Sequence, residues 1–369
     1  CMVDDSRHNL VTRLEARAAD TPEAAAIVVT RRGRDHSTSY TELVRNVQQA
    51  AAGLRASNVG RGDRVLLLRG VSVEWYVGLL AVWRIGATAC LIDPGVGWSR
   101  FLSLVHRTVP EAMLTTEAVS LFRWLIPSLR RVPVALSVDR LVRRGARAAA
   151  EPPASVPEDH PALLTFTSGS TGEPKAIIRS HALLAAQLDA LTDTIDLRCG
   201  ERDLLTLPVF ALANLACGVT TVIADADLRR VGRVRAERVL EQSRRLGVER
   251  CTASPAFFDR LIDHAKAQES RLPFRAVHTG GGPVFVSLLD RLRDTLPDGA
   301  TVVAVYGSTE AEPIAELDAR DITDRDRLGM SRGAGLLAGR SSPAVELRIV
   351  ELPADAGESP VPPSRFDRW

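Results

Sequence analysis

Short apolar runs alternate along most of the chain with longer stretches that repeat apolar residues at helical spacing. The short runs have the length of buried strands, and the longer stretches have the length of amphipathic helices. The predicted strands cover residues 26–29, 65–68, 87–92, 112–114, 163–166, 204–207, 221–223, 249–252, 276–279 and 302–305. The predicted helices cover residues 40–54, 73–85, 98–107, 182–191, 235–246, 256–267 and 284–296. Ser39 or Thr41 is a candidate N-cap for the first of these helices.

This alternation predicts an α/β fold with two mostly parallel βαβ sub-domains and helices on both faces of each sheet. A segment rich in Arg, Ala and Pro at residues 140–159 indicates a surface linker. The expected units are residues 1–150 and residues 151–335, followed by the start of a small β element and a Pro-rich tail at residues 336–369. In that last part, residues 345–350 alternate apolar and polar positions, which predicts a half-exposed strand.

One long stretch without charge lies between Asp203 and Asp225 and raises the alternative of a membrane span. Pro208, Asn214 and Gly218 interrupt it, and a lipid-exposed helix tolerates such interruptions poorly. A buried strand, a turn and a buried helix therefore fit the pattern better, and no membrane insertion is expected.

Composition and charge are those of an ordinary globular protein. The chain has 369 residues, enough for two or three sub-domains, with 45% hydrophobic and 25% charged residues. The formal net charge of +2 gives no reason to expect a nucleic acid or an anionic membrane as a partner. The five cysteines include no C-x-x-C pair, so zinc is not indicated, and reduced thiols and a cytoplasmic location are expected.

The strongest chemical signal follows the predicted strand at residues 163–166, where four hydroxyl residues, two glycines and one lysine occur close together. Glycines let backbone N–H groups approach an anion, hydroxyls donate hydrogen bonds and lysine adds positive charge, as a polyphosphate site requires. A flexible surface turn would explain Ser-Gly-Ser alone, but it does not explain the whole run after a buried strand. The residues expected to bind phosphate are Thr167, Ser168, Gly169, Ser170, Thr171, Gly172 and Lys175.

This run departs from two common nucleotide motifs. Glu173 and Pro174 separate Gly172 from Lys175, which breaks the G-x-x-x-x-G-K-[ST] pattern of P-loop kinases and GTPases. No G-x-G-x-x-G opens a helix, so a dinucleotide oxidoreductase is also disfavoured.

Two further motifs follow predicted strands. The first, after residues 302–305, consists of Tyr306, Gly307, Ser308, Thr309 and Glu310. The second, after residues 276–279, consists of Gly280, Gly281 and Gly282. A carboxylate such as that of Glu310 is tolerable near phosphates only with a metal between them, whereas alone it would be an ordinary surface group. The glycines would let an aromatic base lie against the backbone, although a tight turn between strand and helix explains them equally well.

Together the three motifs resemble, in order and spacing, those of the acyl-adenylate-forming superfamily, which includes acyl-CoA synthetases, firefly luciferases and peptide-synthetase adenylation domains. The resemblance covers nearly the whole chain and implies ATP as a substrate and Mg²⁺ as a cofactor. It implies that Tyr306 packs on adenine, that Thr309 contacts the α-phosphate and that Glu310 holds the metal. It also implies that residues 280–282 line the adenine side and that Lys175, Thr309 and Glu310 are the catalytic groups.

Finer features resemble the fatty-acid-activating members, and among these the β-lactone synthetases of bacterial olefin biosynthesis, which act on long β-hydroxy acids. These features lie at residues 91–95, 207–212 and 306–313. The resemblance implies that a small-molecule carboxylic acid binds at the apolar segment after Pro208, although core packing explains that segment equally well. The residues expected to line the acid site are Phe210, Leu212, Ala213 and Asn214.

The implied reaction is attack of the carboxylate on the α-phosphorus of ATP, with release of pyrophosphate. The acyl-AMP then meets CoA, the thiol of an acyl carrier protein or its own β-hydroxyl, which would close a β-lactone. The superfamily's ribose-binding Asp and its lid domain with a catalytic lysine have no match after Val350, which favours a truncated chain. A non-catalytic nucleotide-binding module is the alternative from another class. His181 and His278 are expected to be structural, as a cap of the next helix and as a core histidine.

Overall fold

The structure is a computed structural model that describes residues 9–167 and 174–348. Its strands are β1 (Ala25–Arg31), β2 (Arg34–Ser39), β3 (Arg64–Leu68), β4 (Thr88–Leu91), β5 (Ala112–Thr115), β6 (Val134–Leu136), β7 (Pro161–Thr167), β8 (Lys175–Ser180), β9 (Arg202–Leu205), β10 (Thr220–Ile223), β11 (Arg250–Ala253), β12 (Ala276–Thr279), β13 (Thr301–Tyr306), β14 (Ala315–Asp318) and β15 (Arg340–Ser341). Its α-helices are α1 (Val11–Asp20), α2 (Tyr40–Arg55), α3 (Val73–Arg84), α4 (Trp98–Thr108), α5 (Glu117–Phe122), α6 (Pro127–Arg130), α7 (Val138–Gly145), α8 (His181–Thr194), α9 (Phe210–Cys217), α10 (Ala236–Arg245), α11 (Pro255–Ala267), α12 (Val286–Thr295) and α13 (Asp324–Ser331). Single 3-10 turns occupy Pro94–Val96, Arg123–Leu125, Val231–Arg233 and Ala319–Asp321.

Two sheets form the framework of the fold. The nine-stranded sheet has the order β15-β14-β13-β12-β11-β9-β10-β1-β2, and the six-stranded sheet has the order β6-β5-β3-β4-β7-β8. The inner strands pair in parallel, as β12 does with β13, whereas β2, β8, β14 and β15 join antiparallel. The predicted α/β class with largely parallel sheets is therefore confirmed.

A shared hydrophobic core joins the two sheets. The buried cluster that contains Tyr40 and Trp83 includes Ile27 and Leu205 from the nine-stranded sheet and Val65 from the six-stranded sheet. Sheet membership does not follow the expected boundary near residue 150, because β1 and β2 pair in the nine-stranded sheet while β7 and β8 pair in the six-stranded one. The division into units at that boundary stays a prediction.

The predicted linker is wrong over its first residues, because these belong to helix α7. Ser137 caps that helix by accepting a hydrogen bond from the Arg140 N–H. Two glycines allow α2 and α7 to touch backbone to backbone: a Cβ on Gly53 would lie 2.3 Å from the Leu141 carbonyl oxygen, and one on Gly145 would lie 1.9 Å from that of Gln49. The arginines that made this segment resemble a linker lie on the outer side of a helix that buries only a narrow stripe.

The uncharged stretch forms β9, the buried helix α9 and β10, as the sequence predicts. Within residues 9–167 and 174–348, no helix is both long and apolar enough to cross a bilayer.

Two capping predictions have different outcomes. Ser39 is the N-cap of α2, with its side chain accepting from the Glu42 N–H at 3.2 Å. Helix α8 is capped by Ser180 rather than by His181, which is the first helical residue and packs near Trp83. A serine hydroxyl reaches the free N–H groups of the first turn, so the short side chain takes this position.

The predicted strand at residues 345–350 is wrong in its described part. Residues 345–348 belong to no strand, and the remaining two lie outside the described residues. Alternating apolar and polar residues form a strand only where a partner edge is available.

Candidate active site

The flanks of the predicted phosphate loop form an antiparallel hairpin. Thr167 ends β7, Lys175 begins β8, and the two residues are paired in register. Lys175 is exposed, so its ammonium group is free to reach a ligand above the hairpin. The other predicted phosphate ligands lie outside the described residues: Ser168, Gly169, Ser170, Thr171 and Gly172.

The motif at residues 306–310 lies at the end of β13 and in the β13–β14 turn (residues 307–314). Tyr306 ends β13 with its side chain 54% exposed. The turn is tight, because the Ser308 N–H donates to the Ala311 carbonyl oxygen at 2.8 Å and the Ala311 N–H donates back at 3.2 Å. Thr309 and Glu310 lie between these residues, and Glu310 is exposed. The turn therefore presents a hydroxyl and a carboxylate next to the exposed ring.

Glycines are required at this place by close packing. A Cβ on Gly307 would lie 2.9 Å from Glu312 Cγ, and one on Gly280 would lie 2.6 Å from the Val305 carbonyl oxygen. Gly281 has a φ of +73°, which favours glycine, and a Cβ on the neighbouring Gly282 would meet nothing within 4 Å. The glycine run at residues 280–282 therefore lies beside the end of β13, so the structure brings this run and the motif at residues 306–310 together.

A buried charge cluster connects the β13–β14 turn with the strand that follows the phosphate loop. Arg179 on β8 is buried, and Gln187 Nε2 on α8 donates to Glu312 Oε2 at 3.3 Å. Burial lowers the pKa of Arg179, and the nearby carboxylates of Glu312 and Glu310 oppose that shift. Burial raises the pKa of Glu312, and the charge of Arg179 opposes this. The sequence contained a signal for this cluster, since an arginine follows two isoleucines within a strand.

A cleft of about 1040 Å³ opens at the carboxyl ends of strands from both sheets. In open α/β sheets, ligands bind in crevices outside the carboxyl ends of the strands. Phe166 lines the cleft one residue before Thr167, so the cleft begins next to the phosphate-loop hairpin. The apolar part of the lining includes Leu68, Trp75, Leu91, Trp98, Phe122, Ile126, Phe166, Pro208 and Ile223.

Two arginines share one carboxylate beside this cleft. Arg31 donates to both carboxylate oxygens of Glu74, at 2.7 and 3.0 Å, and Arg69 lies 3.1 Å from the same group. Burial raises the pKa of Glu74, but the hydrogen bond from Arg31 and the charge of Arg69 outweigh it and lower the pKa to about 2. The group of Arg31, Arg69 and Glu74 therefore carries one net positive charge, and both arginines line the cleft.

The four residues predicted to line the acid site lie on the buried helix α9. Phe210, Leu212 and Ala213 pack in the core shared by the two sheets, and Asn214 Nδ2 donates to Asp203 Oδ2 at 3.2 Å. The cleft lining reaches Pro208, two residues before this helix. Contact between these four side chains and an acid stays a prediction.

A divalent cation fits the β13–β14 turn only as a bridge to a ligand. Within residues 9–167 and 174–348, no group of three His, Cys, Asp or Glu side chains is placed to hold a metal. Mg²⁺ is usually bound through one or two carboxylates together with substrate phosphates, so the single exposed carboxylate of Glu310 suits it.

Residues 14–364 match the family of AMP-binding enzymes. This match covers most of the chain, and the chain therefore belongs to the AMP-binding enzyme family, as the three motifs indicated.

Among characterised proteins, the chain is similar to two olefin β-lactone synthetases. It is 30% identical to that of Xanthomonas campestris pv. campestris over 329 residues, which are 86% of this chain and 58% of that protein. It is 30% identical to that of Stenotrophomonas maltophilia over 363 residues, which are 93% of this chain and 65% of that protein. The chain thus spans less than two thirds of the length of either relative.

Among solved structures, the fold is similar to the N-terminal domain of FACL13 from Mycobacterium tuberculosis, determined with a bound inhibitor. The TM-score is 0.73 with 22% sequence identity, over 91% of this chain and 82% of that one. At this identity the similarity concerns the fold alone.

Proposed function

We propose that this chain is the nucleotide- and acid-binding part of an enzyme that activates an apolar carboxylic acid with ATP. The products of this step are an acyl-AMP and pyrophosphate. The observation that supports this most is the position of the cleft, which meets the phosphate-loop hairpin at Phe166. A carboxylic acid whose chain lay in the cleft would have its carboxylate beside the phosphates. Membership of the AMP-binding family supports the same reaction class.

In this proposal the chain supplies position and charge rather than a covalent intermediate. The loop from Thr167 to Lys175 holds the phosphates, and the glycine run together with Tyr306 holds the adenine ring. Thr309 donates to the α-phosphate, while Glu310 would hold a Mg²⁺ ion, which lowers the negative charge of the phosphates when bound. The carboxylate of the acid then attacks the α-phosphorus in line with the departing pyrophosphate.

The acid that we propose is a fatty acid with a 3-hydroxyl group. The apolar lining of the cleft supports an apolar chain, and the two olefin β-lactone synthetases support the hydroxyl. The cleft also contains the carboxylates of Asp93, Asp225 and Asp227. Helix α9 offers no charged partner to an ammonium group, whereas these carboxylates do, so amino acids belong in the test.

The decisive assay offers the full-length protein matched plain and 3-hydroxy fatty acids of increasing length, with ATP and Mg²⁺, and follows AMP and product by mass spectrometry. Each added methylene that is buried should contribute roughly 0.8 kcal/mol, so kcat/KM should rise with chain length until the cleft is full. A lactone should form from the 3-hydroxy acid without any thiol. A preference for amino acids would contradict the apolar acid, and binding of ATP without any turnover would favour a non-catalytic nucleotide-binding module.

The second candidate is a ligase that transfers the acyl group to CoA or to an acyl carrier protein. It uses the same first step and differs only in the acceptor. Turnover of both kinds of fatty acid only when a thiol is added would favour it and would remove the lactone.

A further inference from the structure

Helix α5 and the 3-10 turn that follows it expose apolar side chains, and the turn buries an arginine. Leu121, Phe122, Trp124 and Leu125, at the end of α5 and in the 3-10 turn that follows, are between 59% and 79% exposed. We call these four side chains the α5 apolar face. A helix that served only the stability of the fold would place them in the core.

Polar side chains of α5 and of the 3-10 turn make hydrogen bonds to the underlying backbone, and these bonds fix the orientation of the segment. Arg123 is buried and donates through Nη1 to the Val132 carbonyl oxygen. Ser120 Oγ donates to the Ala135 carbonyl oxygen at 3.0 Å. The Arg123 guanidinium also lies 4.6 Å from the centre of the Trp124 ring, which holds that ring on the outer surface. Since the inward contacts need Arg123 and Ser120, the apolar face cannot turn inward without breaking them.

The segment that carries this face is basic, and helix α6 within it contacts both the 3-10 turn and α4. Residues 98–131 contain Arg100, Arg107, Arg123, Arg130 and Arg131 but only two acidic residues, Glu111 and Glu117. Glu111 is already paired with Arg64 at 3.0 Å, and Glu117 accepts a hydrogen bond from Ser137 at 2.7 Å. Apart from Arg123, the arginines of this segment are exposed, on α4, on α6 and directly after α6. The small net charge of the whole chain therefore conceals a local basic region.

We propose that the α5 apolar face docks on an anionic lipid surface. Leucine and aromatic side chains next to arginines are the combination that adsorbs to the boundary between headgroups and acyl chains. Phe122 and Trp98 also line the cleft, so the docked face lies at the border of that cleft. A lipid-borne acid would then pass from the surface into the cleft without crossing water, a consequence that rests on the proposed function. The docking itself does not, because it requires neither ATP nor turnover.

The test is co-sedimentation of the protein with vesicles. One set contains phosphatidylglycerol and phosphatidylcholine in equal parts, and the other contains phosphatidylcholine alone. The parent protein should bind the anionic vesicles and release them at high ionic strength. Leu121→Ser/Leu125→Ser should weaken this binding by about tenfold or more, because the membrane contact loses two apolar side chains.

Phe285→Ser/Leu328→Ser is the matched control. These side chains are 58% and 49% exposed and lie before α12 and on α13. The control variant therefore replaces exposed apolar side chains outside the α5 apolar face, and its vesicle binding should equal that of the parent. All four positions are exposed, and the circular dichroism of both variants should match that of the parent.

Three outcomes would overturn the proposal. They are the absence of vesicle binding by the parent, equal binding by the α5 variant, and a dimer of the parent that the α5 variant loses while vesicles have no effect. Binding of a purified acyl carrier protein in place of vesicles, lost in the same variant, would assign the face to a protein partner instead. An assay of acid activation in detergent, without vesicles, tests the proposed function independently of the docking result.

Discussion

Charged side chains lie at both ends of the parallel strands of the nine-stranded sheet, but in different surroundings. We call the side where these strands begin the amino edge and the side where they end the carboxyl edge. At the amino edge, Asp203 and Arg250 are neighbours in register on β9 and β11, and Asp203 is fully buried. Thr252 Oγ1 donates to Asp203 at 3.0 Å, and Arg250 donates to Glu201 at 3.0 Å. At the carboxyl edge, the carboxylate of Glu310 is exposed at a turn.

The difference lies in what each group has left to bind. The amino-edge groups bond to other groups of the protein, since Asp203 accepts from Asn214 and Arg250 donates to the Asp196 carbonyl oxygen. Burial lowers the pKa of His278 beside them to about 3, so that this histidine is neutral. This agrees with the prediction of a core histidine. The carboxyl-edge groups keep donors and acceptors for a ligand, as the crevice rule for parallel sheets expects. Burial therefore distinguishes a charge that supports structure from one that is available for chemistry.

The largest expected effect is at the exposed carboxylate. In the full-length protein, Glu310→Gln should lower acid-dependent pyrophosphate release by about 10²–10³-fold, because the variant loses the charge that would hold the metal at the phosphates. Folding should be unchanged, since the side chain is exposed. Glu237→Gln on the surface of α10 is the control and should retain parent activity. Near-normal release by Glu310→Gln at saturating Mg²⁺ would contradict the assignment.

The second effect concerns the buried Arg179 on β8 and the nearby Glu312 of the β13–β14 turn. Arg179→Met should lower the free energy of unfolding by about 3–4 kcal/mol, because it leaves Glu312 partly buried without its cation. Adding Glu312→Gln should recover part of this loss. Urea unfolding of the parent, both single variants and the double variant measures the coupling. Strictly additive losses would show that the two groups do not interact.

The smallest effect is expected at the amino edge, where it depends on pH. Burial raises the pKa of Asp203 from 3.8 to about 6, against the lowering effects of Arg250 and of the hydrogen bonds from Asn214 and Thr252. Because the folded-state pKa is the higher one, Asp203 favours the folded state most below pH 4, and this contribution is lost as pH rises through 6. The loss is on the order of 2–3 kcal/mol at neutral pH.

Asp203→Asn should remove that pH dependence, since its amide is neutral throughout. Relative to the parent, the variant should gain stability between pH 4 and pH 8, as measured by urea unfolding at both values. Asn214 Oδ1 has no hydrogen-bond partner among residues 9–167 and 174–348, so the new amide group has an acceptor nearby. Asp189→Asn, at an exposed position on α8, controls for the loss of a negative charge as such. An unchanged difference between variant and parent across this range would contradict the raised pKa.

Much of the fold was predictable because its elements are long and strongly periodic. The helix predicted at residues 40–54 and the strand predicted at residues 276–279 appear as Tyr40–Arg55 and Ala276–Thr279. The short elements α5, α6 and α7 were missed, since each has few buried residues and therefore no clear period. Helix α7 in particular is stabilised by backbone contact with α2, and a contact between residues so far apart leaves no local pattern.

By itself, the sequence determined the class of fold, the family and the three motifs. These depend on periodicity and on residues that stand next to one another in the chain. Only the tertiary structure decided which segments line the cleft, that Arg179 lies near Glu312 and that the α5 apolar face points outward. These features join residues from strands and helices that are distant in the chain, so burial and charge are settled only when the two sheets pack.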